Sequence, residues 1–168
     1  NNIIRFSYIL VKKKNKQIKN NMVLAINPHN KIMEYLKRNS KKYFETNIID
    51  PTIYKKSKFN FIYFLDFFDQ IKNNKKIIDD VREILDRKGV LISYMSSNII
   101  DDDIENLKLL KKMGFSIKLH IIEDQIKQIS VLDYDQVKIL CSSLKKNIHN
   151  LGDIIMCEFV KAKNILDY

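Results

Sequence analysis

Asp66 and Asp69 stand three apart just beyond an apolar run that ends at Leu65, and Gln70 follows directly. Paired carboxylates at a strand end can orient a substrate or take a proton. In an α/β sheet, ligands bind in the crevice beyond such ends. The same two acids serve equally as a helix N-cap and a first-turn acid, and Gln70 has no base chemistry. His29, His120 and His149 are scattered, none beside a second ligand type at metal-binding spacing, so they read as surface or boundary histidines and no metal set is expected. Cys141 sits on the apolar face of an expected helix and Cys157 in an apolar run, so both read as small core hydrophobes. Their separation of 16, without a CxxC, excludes a disulfide scaffold or a zinc ribbon and points to a cytoplasmic or other reducing intracellular compartment. Spacing alone assembles no nucleophile–His–acid grouping.

These residues need a frame. With 168 residues and 45% hydrophobic content the chain supports one domain over 1–168 and is too apolar for a disordered tail. Gly and Pro total only five, which excludes collagen-like and loop-rich classes, and no apolar run reaches the ~18 residues of a membrane span. The chain opens at Asn1 without a methionine or a signal-peptide layout, as an excerpt or processed chain does.

Short apolar runs alternate with helical periods. Ile3–Phe6, MVLAI (22–26), 43–49, FNFIYFL (59–65), VLISY (90–94), the alternating stretch 115–121 and DIIMCEFV (153–160) are strand candidates. Helices are expected from Pro28, from Asn73 or Asn74 to Lys88 with Gly89 as a left-handed cap, from Asp101 to a stop at Gly114, and over 134–148. Such alternation predicts an α/β, Rossmann-like, doubly wound seven-stranded sheet, mostly parallel with an antiparallel final strand.

The words FNFIYFLDFFDQI, KNNKKIIDDVREIL and DRKGVLISYMSSN carry a family resemblance. They are similar to the fourth strand, the following helix and the fifth strand of class I S-adenosylmethionine-dependent methyltransferases. Asp86 to Ile92 resembles that family's lysine-proline-glycine-glycine turn with one glycine kept. Residues 22–39 then resemble its second strand and helix, and 43–50 its third strand. What the resemblance implies is an S-adenosyl-L-methionine site. Asn27 would stand at the acid that meets the ribose, Asn47 at the carboxylate near the adenine, and Leu65 and Asp66 at the methionine end. Asp69 and Gln70 would face the acceptor. Ser7 and Tyr8 would open the stretch filling the place of the glycine-rich turn after the first strand. No glycine precedes Gly89, and holding a non-glycine residue left-handed costs roughly 1–2 kcal/mol. Two such positions would weaken binding by on the order of 30- to 1000-fold. An alternative register makes Met22–Ile26 the first strand and the residues from Asn27 the turn, at the loss of a third strand. The register starting at Ile3 keeps every strand and is preferred. Family membership leaves open an active methyltransferase domain, with RNA among its substrates, and an inactive scaffold or RNA-binding subunit of a larger complex.

Residues 1–58 hold 14 basic and 3 acidic groups, whereas 59–168 hold 16 and 17. The lysines within 12–58, with Tyr8, Tyr43 and Tyr54 near them, could form a face for RNA or another acidic partner. The dominance of Lys over Arg, 26 to 4, argues for a merely solvated surface.

Overall fold

The computed structural model describes residues 2–18, 21–50, 52, 58–95, 101–122, 129–132 and 154–161. The expected helix over 134–148, with Cys141, His149 and Tyr54, lies outside them.

Helix α1 (Asn2–Gln17) precedes strand β1 (Met22–Ile26), helix α2 (Asn30–Asn39) and strand β2 (Lys42–Thr46). Strand β3 (Phe59–Phe64) leads into α3 (Phe67–Asn73), α4 (Lys76–Ile84) and β4 (Leu85–Met95). Helix α5 (Asp101–Lys112), then β5 (Phe115–Ile122), β6 (Ile129–Leu132) and β7 (Ile154–Lys161), complete the order.

The strands hydrogen-bond in one sheet, β2-β1-β3-β4-β7-β5-β6. Pairs β1–β2, β1–β3 and β3–β4 are parallel, while β7 runs antiparallel to both β4 and β5, and β6 antiparallel to β5. The mostly parallel α/β architecture is therefore present. The expected set of seven strands is corrected: Ile3–Phe6 is not a strand, and β1 pairs directly with β3. Six strands take places the fold requires, a third parallel strand beyond β2 has no counterpart among the described residues, and β6 is added at the opposite edge.

The reason lies in the period. Phe6, Leu10 and Val11 fall at helical spacing and are buried, with Ser7 between them at 0% exposure. A four-residue apolar run cannot distinguish strand from helix, and here the longer stripe decides.

The sheet's two faces carry separate cores. On one, α1 and α2 cover Val23, Ala25, Phe61, Tyr63, Ile92 and Met156. On the other, α3, α4 and α5 cover Leu24, Ile62, Phe64, Leu91, Cys157 and Phe159. The aromatic strand near 59–64 is buried on both faces, as its composition predicts.

Helix α4 ends at Ile84, short of Lys88, because Leu85 already pairs with Phe59. The next ladder partner is Val90 opposite Phe61, so residues 86–89 loop out of β4. Lys88, at φ 62°, takes the left-handed turn expected of Gly89. Gly89 is needed for space instead, since a Cβ there would lie 2.7 Å from the Asp86 carbonyl oxygen. Lys161 Nζ donates to the Arg82 and Leu85 carbonyls at 2.8 and 2.9 Å, closing the end of α4. Gly114 ends α5 at φ 93° as expected.

Candidate functional site

The carboxyl ends of β1, β2 and β3 open onto one rim. At the end of β1, Asn27 adopts φ 47°, a conformation that Asn tolerates better than most residues. Its N–H donates to the Thr46 carbonyl at 3.0 Å and its Nδ2 to the Asn47 carbonyl at 3.3 Å. Pro28 follows without an N–H. His29 then caps α2, its Nδ1 accepting from the Lys31 N–H at 3.3 Å.

At the end of β2, Glu45 is exposed and accepts from the Tyr43 hydroxyl at 2.8 Å. Burial of the Tyr43 phenol, with the Glu45 bond and charge, raises its pKa well above the ordinary value. Ile48, 75% exposed, is the large apolar side chain at this rim.

Past β3, the Leu65 carbonyl accepts from the Tyr94 N–H at 3.0 Å and from Ser93 Oγ at 3.1 Å, which fixes the chain just before the turn. Asp66 begins α3 without capping it; instead its Oδ2 accepts from Gln70 Nε2 at 3.0 Å. Asp69 points elsewhere: its side chain is 80% exposed and lies 3.8 Å from Lys72. Asp66 and Gln70 are thus brought together, and Asp69 is not with them.

Ser7 and Tyr8 do not form the turn after a strand. Both lie in α1, where Ser7 Oγ donates to the Ile4 carbonyl at 2.9 Å. Tyr8 packs edge-on against Tyr35 at 5.7 Å. The turn falls to Asn27, Pro28 and His29, the alternative register in which Met22–Ile26 is the first strand. Asn27 accordingly moves from the end of the second strand to the end of the first, and Asn47 from beyond the third strand to beyond the second. Glu45 was missed for the same reason, although it stands one residue from the end of a strand, where an acid beside a ligand belongs.

Tyr63, on the α1 side of β3, is fully buried, and its hydroxyl has no hydrogen-bond partner among the described residues. Burial, which the neighbouring Ser7 opposes and the Asp66 charge reinforces, pushes the phenol up to about 12. Farther along the same face, Glu158 on β7 (2% exposed) sits 2.7 Å from Lys14 Nζ and 3.0 Å from His120 Nε2. His120 is therefore buried in an ion-paired cluster, not at the surface. Burial alone would raise the Glu158 carboxyl, yet the bonds from His120 and Lys14 outweigh it and hold the pKa below the ordinary value. Among the described residues no group of three His, Cys, Asp or Glu side chains could hold a metal ion, and no helix is long and apolar enough to cross a membrane.

A parallel set β2-β1-β3-β4, an antiparallel strand inserted beside it and a bent turn after the first strand define the fold of class I S-adenosylmethionine-dependent methyltransferases. Solved structures bear this out. A S-adenosylmethionine-dependent methyltransferase from Archaeoglobus fulgidus superposes with a TM-score of 0.57 at 10% identity, over 94% of each chain. The phosphoethanolamine N-methyltransferase 2 of Haemonchus contortus, in complex with S-adenosyl-L-methionine, gives 0.52 at 12% identity. That match takes in 96% of this chain, which spans 38% of the length of the worm enzyme. No family model matches, and no curated protein matches by sequence.

Proposed function

We propose that this chain is a methyltransferase domain that binds S-adenosyl-L-methionine across the carboxyl ends of β1, β2 and β3. The observation that carries this reading is the left-handed backbone of Asn27. It supplies the bend for which a turn after the first strand ordinarily uses glycine, so the penalty expected for two bulky residues shrinks to one Asn in a conformation it accepts. Glu45 is an acceptor for ribose hydroxyls, Asn27 and Asn47 stand beside it, and Ile48 offers apolar surface to a purine. Leu65 and Asp66 border the methionine end. Bound there, S-adenosyl-L-methionine supplies an electrophilic methyl group to a nucleophilic acceptor. The chain's own part is mainly positioning: the Asp66 carboxylate, held by Gln70, can orient the acceptor or take its proton. Asp69, paired toward Lys72, has the lesser claim.

Thermal melting with S-adenosyl-L-methionine or its demethylated product tests this. Ligand at about 100 times its dissociation constant adds about 2.7 kcal/mol to stability. Glu45→Gln should weaken binding about tenfold, the loss of one charge-assisted bond. Asn27→Gly should retain binding, and Asn27→Val, β-branched in a left-handed position, should abolish it. A folded chain whose melting never responds to either ligand would favour the inactive-scaffold reading. The turn's own chemistry supports that rival: the Asn27 N–H is already committed to Thr46, and Pro28 has none to give.

A further inference from the structure

Positive charge on this molecule is sorted by layer. Residues 2–46, which form α1, β1, α2 and β2, carry 11 basic and 2 acidic side chains, whereas 67–112, which include α3, α4 and α5, carry 9 of each. Lys13 and Lys16 on α1, Lys31 and Lys37 on α2, and Lys41 just before β2 are exposed, with Lys12 half-buried beside Lys13.

Aromatic rings hold several of these ammonium groups in place. Lys12 and Lys31 lie 5.3 and 5.1 Å from the centre of the Tyr8 ring. Lys37 lies 5.9 Å from the centre of the Tyr43 ring, which packs on the same side of the sheet as α1 and α2. Each such contact is attractive and limits the freedom a lysine would otherwise surrender on binding. The face reaches the candidate ligand rim, because Lys31 lies in the first turn of α2, two residues past His29.

The composition of the face selects its partner. A protein interface is built around an apolar centre, and a membrane-surface helix needs an apolar face to insert. Here the large apolar side chain exposed among the described residues of α1, α2 and β2 is Ile9 alone. Fixed cations without an apolar centre match a polymer that repeats a phosphate at every unit, and half-buried tyrosines can stack on its bases. We propose that the α1–α2–β2 face binds the phosphate backbone of a single-stranded polynucleotide.

Fluorescence anisotropy with labelled oligouridylate and its oligothymidylate counterpart, titrated between about 50 and 200 mM salt, tests this. Six contacting ammonium groups give a slope of log K against log salt near −4, at about −0.7 per phosphate. The triple variant Lys12→Gln, Lys31→Gln and Lys37→Gln should flatten that slope by about 2 units and weaken low-salt binding at least tenfold. The matched triple Lys76→Gln, Lys108→Gln and Lys112→Gln, on the opposite layer, should change it by less than about 1. Unchanged melting temperatures confirm that both variants fold. Comparable binding of the two polymers, or preference for one, supports the proposal. It is overturned by equal losses from both triples, by no polynucleotide binding at low salt, or by retention on phosphatidylserine vesicles alone. Because no cofactor enters the assay, its failure is separable from failure of the methyltransferase reading.

Discussion

The two faces of the sheet are packed by different means. Against α3–α5, Phe64, Phe67, Phe68, Phe115 and Phe159 form a chain of tilted and edge-on rings with centroids 5.3–6.4 Å apart. Against α1, the packing admits Ser7, Asn15, Asn21, His120 and Glu158, all buried, where the other face has Ser93 and Asn106 as its buried polar residues. Asn21 donates to Asn15, and Asn15 donates in turn to the Asn39 carbonyl at 3.2 Å, so the end of α1 is tied to the end of α2 by polar contacts. The dry face draws its stability from burial and ring contacts, which are tolerant of small rotations. The polar face gains less net energy from each bond, but a buried group left unpaired is costly, so those bonds fix where α1 docks.

The contrast can be broken from either side, and the largest effect is expected on the dry face. Phe159→Ala should cost about 4 kcal/mol in urea unfolding, through lost transfer energy and a cavity among three neighbouring rings. A cost below about 1 kcal/mol would mean that this face repacks freely. Glu158→Ala should cost about 3 kcal/mol, because Lys14 and His120 lose the acceptor that justifies their burial.

The next prediction sharpens the difference by pH. With its folded pKa depressed, Glu158 contributes stability that is present above its unfolded value of about 4.5 and is lost as pH falls through the folded value. Wild-type protein and Phe159→Ala should therefore share an acid limb below about pH 4.5, and Glu158→Gln should flatten it. Parallel acid limbs in all three proteins would remove the ion cluster from the account. The smallest effect is expected at Tyr63, whose buried hydroxyl has no partner among the described residues. Tyr63→Phe should be neutral or stabilising by up to about 1 kcal/mol, measured by the same unfolding curves.

The dry face was also the legible one. The aromatic density of 59–64 announced a doubly buried strand, and the stripe Ile78, Val81, Ile84 announced the helix over it. Alternation at 115–119 marked β5, with Phe115, Ile117 and Leu119 buried and Ser116 and Lys118 exposed. The polar face misled. Ser7 and Lys14 fall on the buried side of α1, where a search for apolar periods discounts them, so Ile3–Phe6 reads as a strand of its own. That single error displaced the whole register and shifted Asn27 and Asn47 by one strand each. His120 reads as a surface or boundary residue because its partners are 38 residues ahead and on a distant helix, a pairing that no local pattern encodes.

The place of β7 has a consequence for how the chain matures. Residues 154–161 slot between β4 and β5, two strands made well before them. While the ribosome is still translating that segment, β4 and β5 each present a bare ladder of amides and carbonyls, and α4 lacks the Lys161 ammonium that seals its end. Nascent chains of this kind are open to intermolecular strand pairing until the insertion completes, so synthesis at low temperature or with a chaperone should raise the soluble yield more than any single stabilising substitution.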